Sequence, residues 1–207
     1  MKKLLKELDI LRNSEIKSTV EQKMKEFKEL GLKSNKELFK ELCFCLLTAN
    51  YNAVGGIKIQ KAIGNGFYTL NEKQLARSLR ELGHRFPNAR AKYIAEAQQH
   101  KTKLKSILSN NQDQGARKWL VQNVKGLGMK EASHFLRNVG YENLAIIDFH
   151  IIDILADNKL IEKPKIMTPK KYLEIESVLK DLGKKVNMNM SELDLYLWYA
   201  ETGKVLK

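Results

Sequence analysis

The stretch Asn123-Val-Lys-Gly-Leu-Gly-Met-Lys-Glu-Ala-Ser-His-Phe-Leu-Arg137 decides how the rest of the chain is read. Apolar Trp119, Leu120 and Val124 close one helical stripe, Gly126-Leu127-Gly128 makes a tight turn, and Ala132, Phe135 and Leu136 carry a second stripe. Residues 117–138 therefore read as a helix, a two-glycine hairpin and a helix. Glycines permit positive φ and close approach of another backbone, so the N–H groups opening the second helix can hold a phosphate. Such a hairpin, with Gly126 and Gly128 at its tip, grips a nucleic-acid backbone without reading its sequence. The same spacing also suits an ordinary helix–helix turn.

Two residues outward from the hairpin add chemistry. Lys130 falls in the first turn of the second helix, where the dipole disfavours a cation. A lysine there either reaches solvent or serves as the neutral amine that a Schiff-base nucleophile requires. Asp148 follows 18 residues later, closing the apolar run Leu144-Ala145-Ile146-Ile147 and opening a helix. It reads as an N-cap, as a carboxylate placed for reaction, or as both.

Apolar residues step by three or four almost everywhere, as in Leu38, Leu42, Cys45, Ala49 and Tyr172, Ile175, Leu179, Leu182. Ser34 with Glu37 reads as a capping box, Thr168-Pro169 as N-cap and first helical residue, and Ser191 as the start of the last helix. No convincing alternating strand is present, and 144–147 is the one run that could pass for one. The reading is an all-α fold of about ten helices. The chain of 207 residues carries 37 Lys+Arg against 24 Asp+Glu, a net charge of +13, which favours a polyanionic partner and above all nucleic acid. Only Cys43 and Cys45 are present, too few for a four-thiolate iron–sulfur cluster and read as buried apolar residues. The charged amino terminus is unlike a signal peptide and no apolar run could span a bilayer, so a cytoplasmic, DNA-associated protein without membrane contact is expected.

Beyond these local readings, the hairpin lysine and the distant Asp-x-His resemble the helix-hairpin-helix DNA glycosylase superfamily that includes endonuclease III. The segments Phe44-Cys-Leu-Leu-Thr-Ala-Asn50, Gly83-His-Arg-Phe86, Lys130 to Asn138 and Leu193-Asp-Leu-Tyr-Leu-Trp198-Tyr are similar to the compact, archaeal-type second family of 8-oxoguanine DNA glycosylases. Phe149 stands where that family usually has a basic residue. The resemblance implies an endonuclease III-like fold of two helical lobes, 31–142 with the hairpin and 1–30 plus 143–207, with DNA across the cleft. It implies a bifunctional glycosylase/AP lyase of base excision repair: the damaged nucleotide is flipped out, Lys130 attacks C1′ while Asp148 stabilises the developing charge, and β-elimination cuts the strand.

Other roles are carried over with it. Asn50 would fill the gap left by the flipped nucleotide, or cap its helix. Phe86 and Trp198 would sandwich the base, or belong to the core. Arg85 and Arg90 suit the opposite strand, or form a solvated basic face. The main-chain carboxylate of Lys207 would meet the Watson–Crick edge of the base. His134 and His150 are read as structural, and no metal site or cofactor is expected beyond a monovalent cation on the hairpin main chain. The expected partner is double-stranded DNA with 8-oxoguanine or abasic sites, bound by a monomer. The competing functions are a non-catalytic hairpin DNA-binding module and a glycosylase for another oxidised base.

Overall fold

The computed structural model describes residues 1–207. Thirteen α-helices and one 3₁₀ turn (Gln98–His100) make up the fold, and no strand forms. In chain order they are α1 Lys2–Arg12, α2 Ile16–Leu32, α3 Asn35–Thr48, α4 Ala53–Ile63, α5 Gly66–Thr69, α6 Glu72–Glu81 and α7 Pro87–Ala97. There follow α8 Leu104–Ser109, α9 Asp113–Asn123, α10 Met129–Asn138, α11 Phe149–Asp157, α12 Pro169–Val186 and α13 Met190–Thr202. The count exceeds the expected ten because helices as short as α5 and α8 hold too few turns to show a period.

Buried apolar side chains fall into two clusters. One is built around α3, whose Leu38, Phe39, Leu42, Cys43, Phe44, Cys45, Leu46 and Leu47 are all fully buried. A helix that is apolar all round belongs in the middle of its lobe, and α2, α4, α5, α7, α8 and α10 surround it. The second cluster joins α1 and α2 to α11, α12 and α13. Each helix of the second lobe buries one stripe, such as Tyr172, Ile175, Leu179 and Leu182 on α12.

Residues 144–147 pass between the lobes as a buried strap that belongs to no helix and pairs with no strand. Side chains satisfy the strap's backbone instead. The Ala145 N–H donates to Glu176 Oε1 at 2.9 Å, the Ile147 N–H to Tyr172 Oη at 3.2 Å, and the Tyr172 hydroxyl donates to the Ala145 carbonyl at 2.8 Å. Buried backbone groups must be paired somewhere, and here α12 pairs them, fixing where Asp148 emerges.

Capping agrees with the sequence at Thr168-Pro169, whose hydroxyl accepts from the Lys171 N–H at 3.1 Å. Ser34 accepts from the Glu37 N–H at 3.4 Å, but the reciprocal half of the box is not formed. The last helix starts before Ser191, because Asn189 and Glu192 form a complete capping box; Ser191 lies inside α13, its hydroxyl donating to the Tyr141 carbonyl at 2.9 Å.

Candidate active site and nucleic-acid interface

The helix-hairpin-helix consists of α9, the turn Val124–Gly128 and α10, closed by the Leu127 N–H on the Val124 carbonyl at 3.2 Å. Gly126 has φ +91°, and a Cβ there would stand 2.4 Å from the Tyr93 ring, so both conformation and space require glycine. The Gly128 N–H is taken by its own helix, donating to Glu131 Oε2 at 3.2 Å. The N–H groups of Gly126, Met129 and Lys130 have no acceptor within the protein. These three, rather than that of Gly128, are available to an anion.

Between the lobes lies a cleft of about 720 Å³. Lys130, His134 and Arg137 line it from α10, Asp148 to His150 from the start of α11, and Asp194 and Trp198 from α13. The loop from Asn50 to Val54 and the tail residues Lys204, Leu206 and Lys207 complete its wall. Lys130 and Asp148, 18 positions apart in sequence, thus face one cavity. The Lys130 side chain is 29% exposed, with Nζ 3.5 Å from Glu131 Oε1. Asp148 is the N-cap of α11, Oδ1 accepting from the Ile151 N–H at 3.0 Å. The capping reading of Asp148 is met, and the cap fixes the carboxylate at the cavity wall.

Asn50 is exposed with φ +56°, at the turn after α3. Around it, the Arg90 guanidinium donates to the Ala49 carbonyl, the buried His84 ring bonds the Leu47 carbonyl at 3.0 Å, and Tyr51 packs on His84 at 4.3 Å. Burial holds the His84 ring below the usual histidine range. Arg90 is only 7% exposed and so is no solvated basic face: its guanidinium, bound to the Ala49 carbonyl, braces the Asn50 loop. Arg85 is exposed, 5.0 Å above the Phe86 ring. Phe86 itself lies outside the cavity lining, its N–H held by His84 Nδ1 at 3.0 Å. Trp198 does line the cavity and stands edge-on to His150 at 5.2 Å, but no second aromatic wall from Phe86 faces it.

Lys207 divides its functions. Its ammonium donates to Glu41 Oε2 at 2.8 Å and to Gln60 Oε1, and lies 4.3 Å above the Phe44 ring. Its backbone lies beside the buried His134 ring on the cleft wall. Side chain to the α3–α4 side, main chain to the cleft: that is how the residue is anchored. His134 is held well below its usual range by burial, with Arg137 and Lys130 adding to the effect, so it is a neutral packing partner of Phe44.

Sequence reasoning missed a buried polar chain behind the cavity. Asp194 accepts from Arg137, whose Nε and Nη2 both bond Asn138 Oδ1; Asn138 Nδ2 donates to Glu41 Oε1 at 2.6 Å, and Glu41 returns to Lys207. The available signal was acidic residues inside apolar stripes, Glu41 within α3 and Asp194 within α13. No group of three or more metal-ligating side chains occurs, and no helix is long and apolar enough to cross a membrane.

Two helical lobes, with a hairpin lysine and a capping aspartate facing one cleft, define a helix-hairpin-helix DNA-repair class of protein. A family model described as 8-oxoguanine DNA glycosylase matches residues 20–188. The chain belongs to the 8-oxoguanine DNA glycosylase family. It is 53% identical over 205 residues to the 8-oxoguanine DNA glycosylase/AP lyase of Methanocaldococcus jannaschii, covering 99% of each chain. It is 47% identical over 209 residues to the enzyme of the same name from Thermotoga maritima, covering 100% of each. The crystal structure of the M. jannaschii glycosylase/lyase in complex with 15mer DNA containing 8-oxoguanine superposes with a TM-score of 0.96 over 99% of both chains, at 53% identity. That of the T. maritima glycosylase gives 0.94 over 100% of this chain and 99% of its own, at 47% identity.

Proposed function

We infer that this protein excises 8-oxoguanine from double-stranded DNA and then cleaves the strand, as a bifunctional glycosylase/AP lyase. The observation that carries the reading is the convergence of Lys130 and Asp148 on one cleft beside the phosphate-binding hairpin. Lys130, as the free amine, attacks C1′ of the flipped nucleotide, and the base departs with the glycosidic electron pair. Asp148, a carboxylate fixed by its capping bond, stabilises positive charge as it grows on the sugar, an interaction stronger in the transition state than before it. The Schiff base then permits β-elimination of the 3′ phosphate, so preformed abasic sites are substrates as well. Trp198 supplies a stacking face for the base, Asn50 the polar residue for the vacated duplex, and the Lys207 main chain acceptors for the guanine N1–H and amine. The protein acts on DNA as a monomer. The free carbonyls of Lys125, Gly126 and Leu127 suit a monovalent cation, which would supply positive charge next to a gripped phosphate.

Borohydride trapping on a duplex with one 8-oxoguanine tests the reading. Wild-type protein becomes covalently linked, and Lys130→Gln loses trapping and base release by at least about 1,000-fold while keeping duplex affinity, because main-chain groups grip the phosphates. Full trapping by Lys130→Gln would remove the assignment. Asp148→Asn keeps the cap, since Asn caps about as well, yet slows single-turnover excision by orders of magnitude; an unimpaired rate would make Asp148 a cap and nothing more.

A further inference from the structure

One carboxylate in the cleft has no part in the chemistry described so far. Asp194 sits on α13 with its side chain 13% exposed. Its Oδ2 is clamped by Arg137 Nη1, and Arg137 is itself fixed by Asn138 and by packing 4.9 Å above the Phe27 ring. Its Oδ1 accepts no hydrogen bond in the protein and is not sealed from the cavity that Asp194 lines. One oxygen is anchored and the other is open towards the space shared with Lys130 and Asp148. That is the geometry of an acid/base group, held in place while keeping a free lone pair.

Asp148 already has its part, stabilising positive charge on the sugar with a carboxylate fixed by the α11 cap. The sequence of reaction steps nevertheless requires proton transfer. When the Lys130 amine has bonded to C1′, its nitrogen carries a positive charge and must lose a proton before its lone pair can form the imine. As that double bond forms, the C1′–O4′ bond breaks, its electron pair goes to O4′, and O4′ needs a proton.

We propose that Asp194 is the proton shuttle of Schiff-base formation, taking the proton from the Lys130 nitrogen and returning it to O4′ as the sugar ring opens. The two transfers balance: Asp194 ends as it began, the nitrogen goes from ammonium to amine to protonated imine, and O4′ becomes a hydroxyl. This inference rests on Lys130 being the nucleophile. The groups facing Asp194 suit the task. Burial drives its carboxyl up to about 6, with Asp148 raising it further and the charges of Arg137 and Lys130 opposing the rise. Glu131 and His134 on α10, His150 on α11, Tyr51 after α3 and the tail residues Lys204 and Lys207 are the other titratable groups lining the same cavity. A group with a proton affinity near neutrality can both accept and release a proton at neutral pH.

The test is the pH dependence of borohydride trapping at a preformed abasic site, from pH 5 to 8, in wild type, Asp194→Asn and Asp194→Glu. Asp194→Asn keeps an oxygen for Arg137 but cannot carry the proton. Wild type is expected to lose trapping rate as pH falls through about 6. Asp194→Asn is expected to be at least tenfold slower at pH 7.5 and to lack that acidic limb, with unchanged affinity for undamaged duplex. Asp194→Glu should restore the limb and part of the rate. A wild-type profile without an acidic limb overturns the proposal without reference to any variant, and so does wild-type rate and profile in Asp194→Asn. If wild type forms no adduct at any pH, the assignment of Lys130 has failed first; if it does, failure of the other arms falls on Asp194 alone.

Discussion

Two arginine–carboxylate pairs join the lobes, and they are built from the same groups to opposite ends. Arg117 on α9 meets Glu176 on α12 through two hydrogen bonds of 2.7 and 2.9 Å, both side chains 2% exposed. Both carboxylate oxygens are bonded there, and further partners join: Arg117 also donates to Ser133 Oγ, and Glu176 Oε1 also accepts from the Ala145 N–H. Arg137 on α10 meets Asp194 on α13 by one nitrogen and one oxygen, leaving the second oxygen open to the cleft. Burial alone would raise the Glu176 carboxyl, yet the hydrogen bonds from Arg117 and Ala145 outweigh it and hold the group below the usual range. Asp194, with fewer donors, goes up to about 6. A saturated pair fixes structure, whereas an unsaturated one keeps reactivity, with the two carboxylate side chains 2% and 13% exposed.

Breaking the saturated pair gives the largest effect on stability. Arg117→Met leaves Glu176 as a buried carboxylate without its main partner, which costs about 3–5 kcal/mol. Urea unfolding should show that loss, while trapping per folded molecule changes little. Removing both charges with Arg117→Met and Glu176→Leu recovers only part of it, because the Ala145 N–H in the strap then lacks an acceptor, worth about 1–3 kcal/mol. A loss below about 1 kcal/mol in the single variant would mean that water or another donor reaches Glu176.

The pairs should also respond to pH with opposite signs. The folded carboxyl of Glu176 is depressed, so its contribution is present above the unfolded value near 4.3 and is lost as pH falls through the folded one. The folded carboxyl of Asp194 is raised to about 6 from an unfolded value near 3.9. The native state therefore holds its proton more tightly, and stability declines as pH rises from about 4 to 6, by on the order of 1–3 kcal/mol. Unfolding free energies from pH 3 to 7 check this by difference from wild type. Glu176→Gln should flatten the acid loss below about pH 4, and Asp194→Asn should flatten the decline between about 4 and 6. Identical pH differences in the two variants would erase the distinction between the pairs.

What local sequence carries, it carried well. Period and caps mark most helices, and the glycine hairpin, Lys130 and Asp148 lie in one window whose chemistry depends on near neighbours. The second pair and the polar chain behind the cleft depend on partners far away, Arg137 to Asp194 across 57 residues and Asn138 to Glu41 across 97. Periodicity holds no record of which charge in one stripe meets which in another. Arg90 shows the same gap from the other side: a basic residue beside an aromatic reads as surface, and only packing against the Ala49 carbonyl buries it. The strap at 144–147 has strand composition, but Tyr172 and Glu176 offer its backbone what a neighbouring strand would have offered.

The contrast between closed and open faces extends to aromatic residues, with the smallest expected effect. Phe44, fully buried, closes its lobe against His134, while Phe149 follows Asp148 on the cleft wall with 66% of its surface exposed. The Phe149 ring lies 3.9 Å from His150, tilted by 36°, and His150 meets Trp198 edge-on, so three neighbouring rings line the cleft. An exposed ring gains free energy when a sugar or unstacked base covers it, and base–aromatic stacking is worth about 1–3 kcal/mol. Because Phe149 carries no charge, that gain releases no counterion. Phe149→Ala is expected to weaken binding to a lesion-containing duplex by roughly tenfold, about 1.4 kcal/mol, with the slope of log affinity against log salt unchanged. Phe149→Arg should recover affinity at low salt and steepen the slope by about one unit. Fluorescence anisotropy titrations at several salt concentrations measure both quantities, and unaltered affinity in Phe149→Ala would show that DNA passes this ring without covering it.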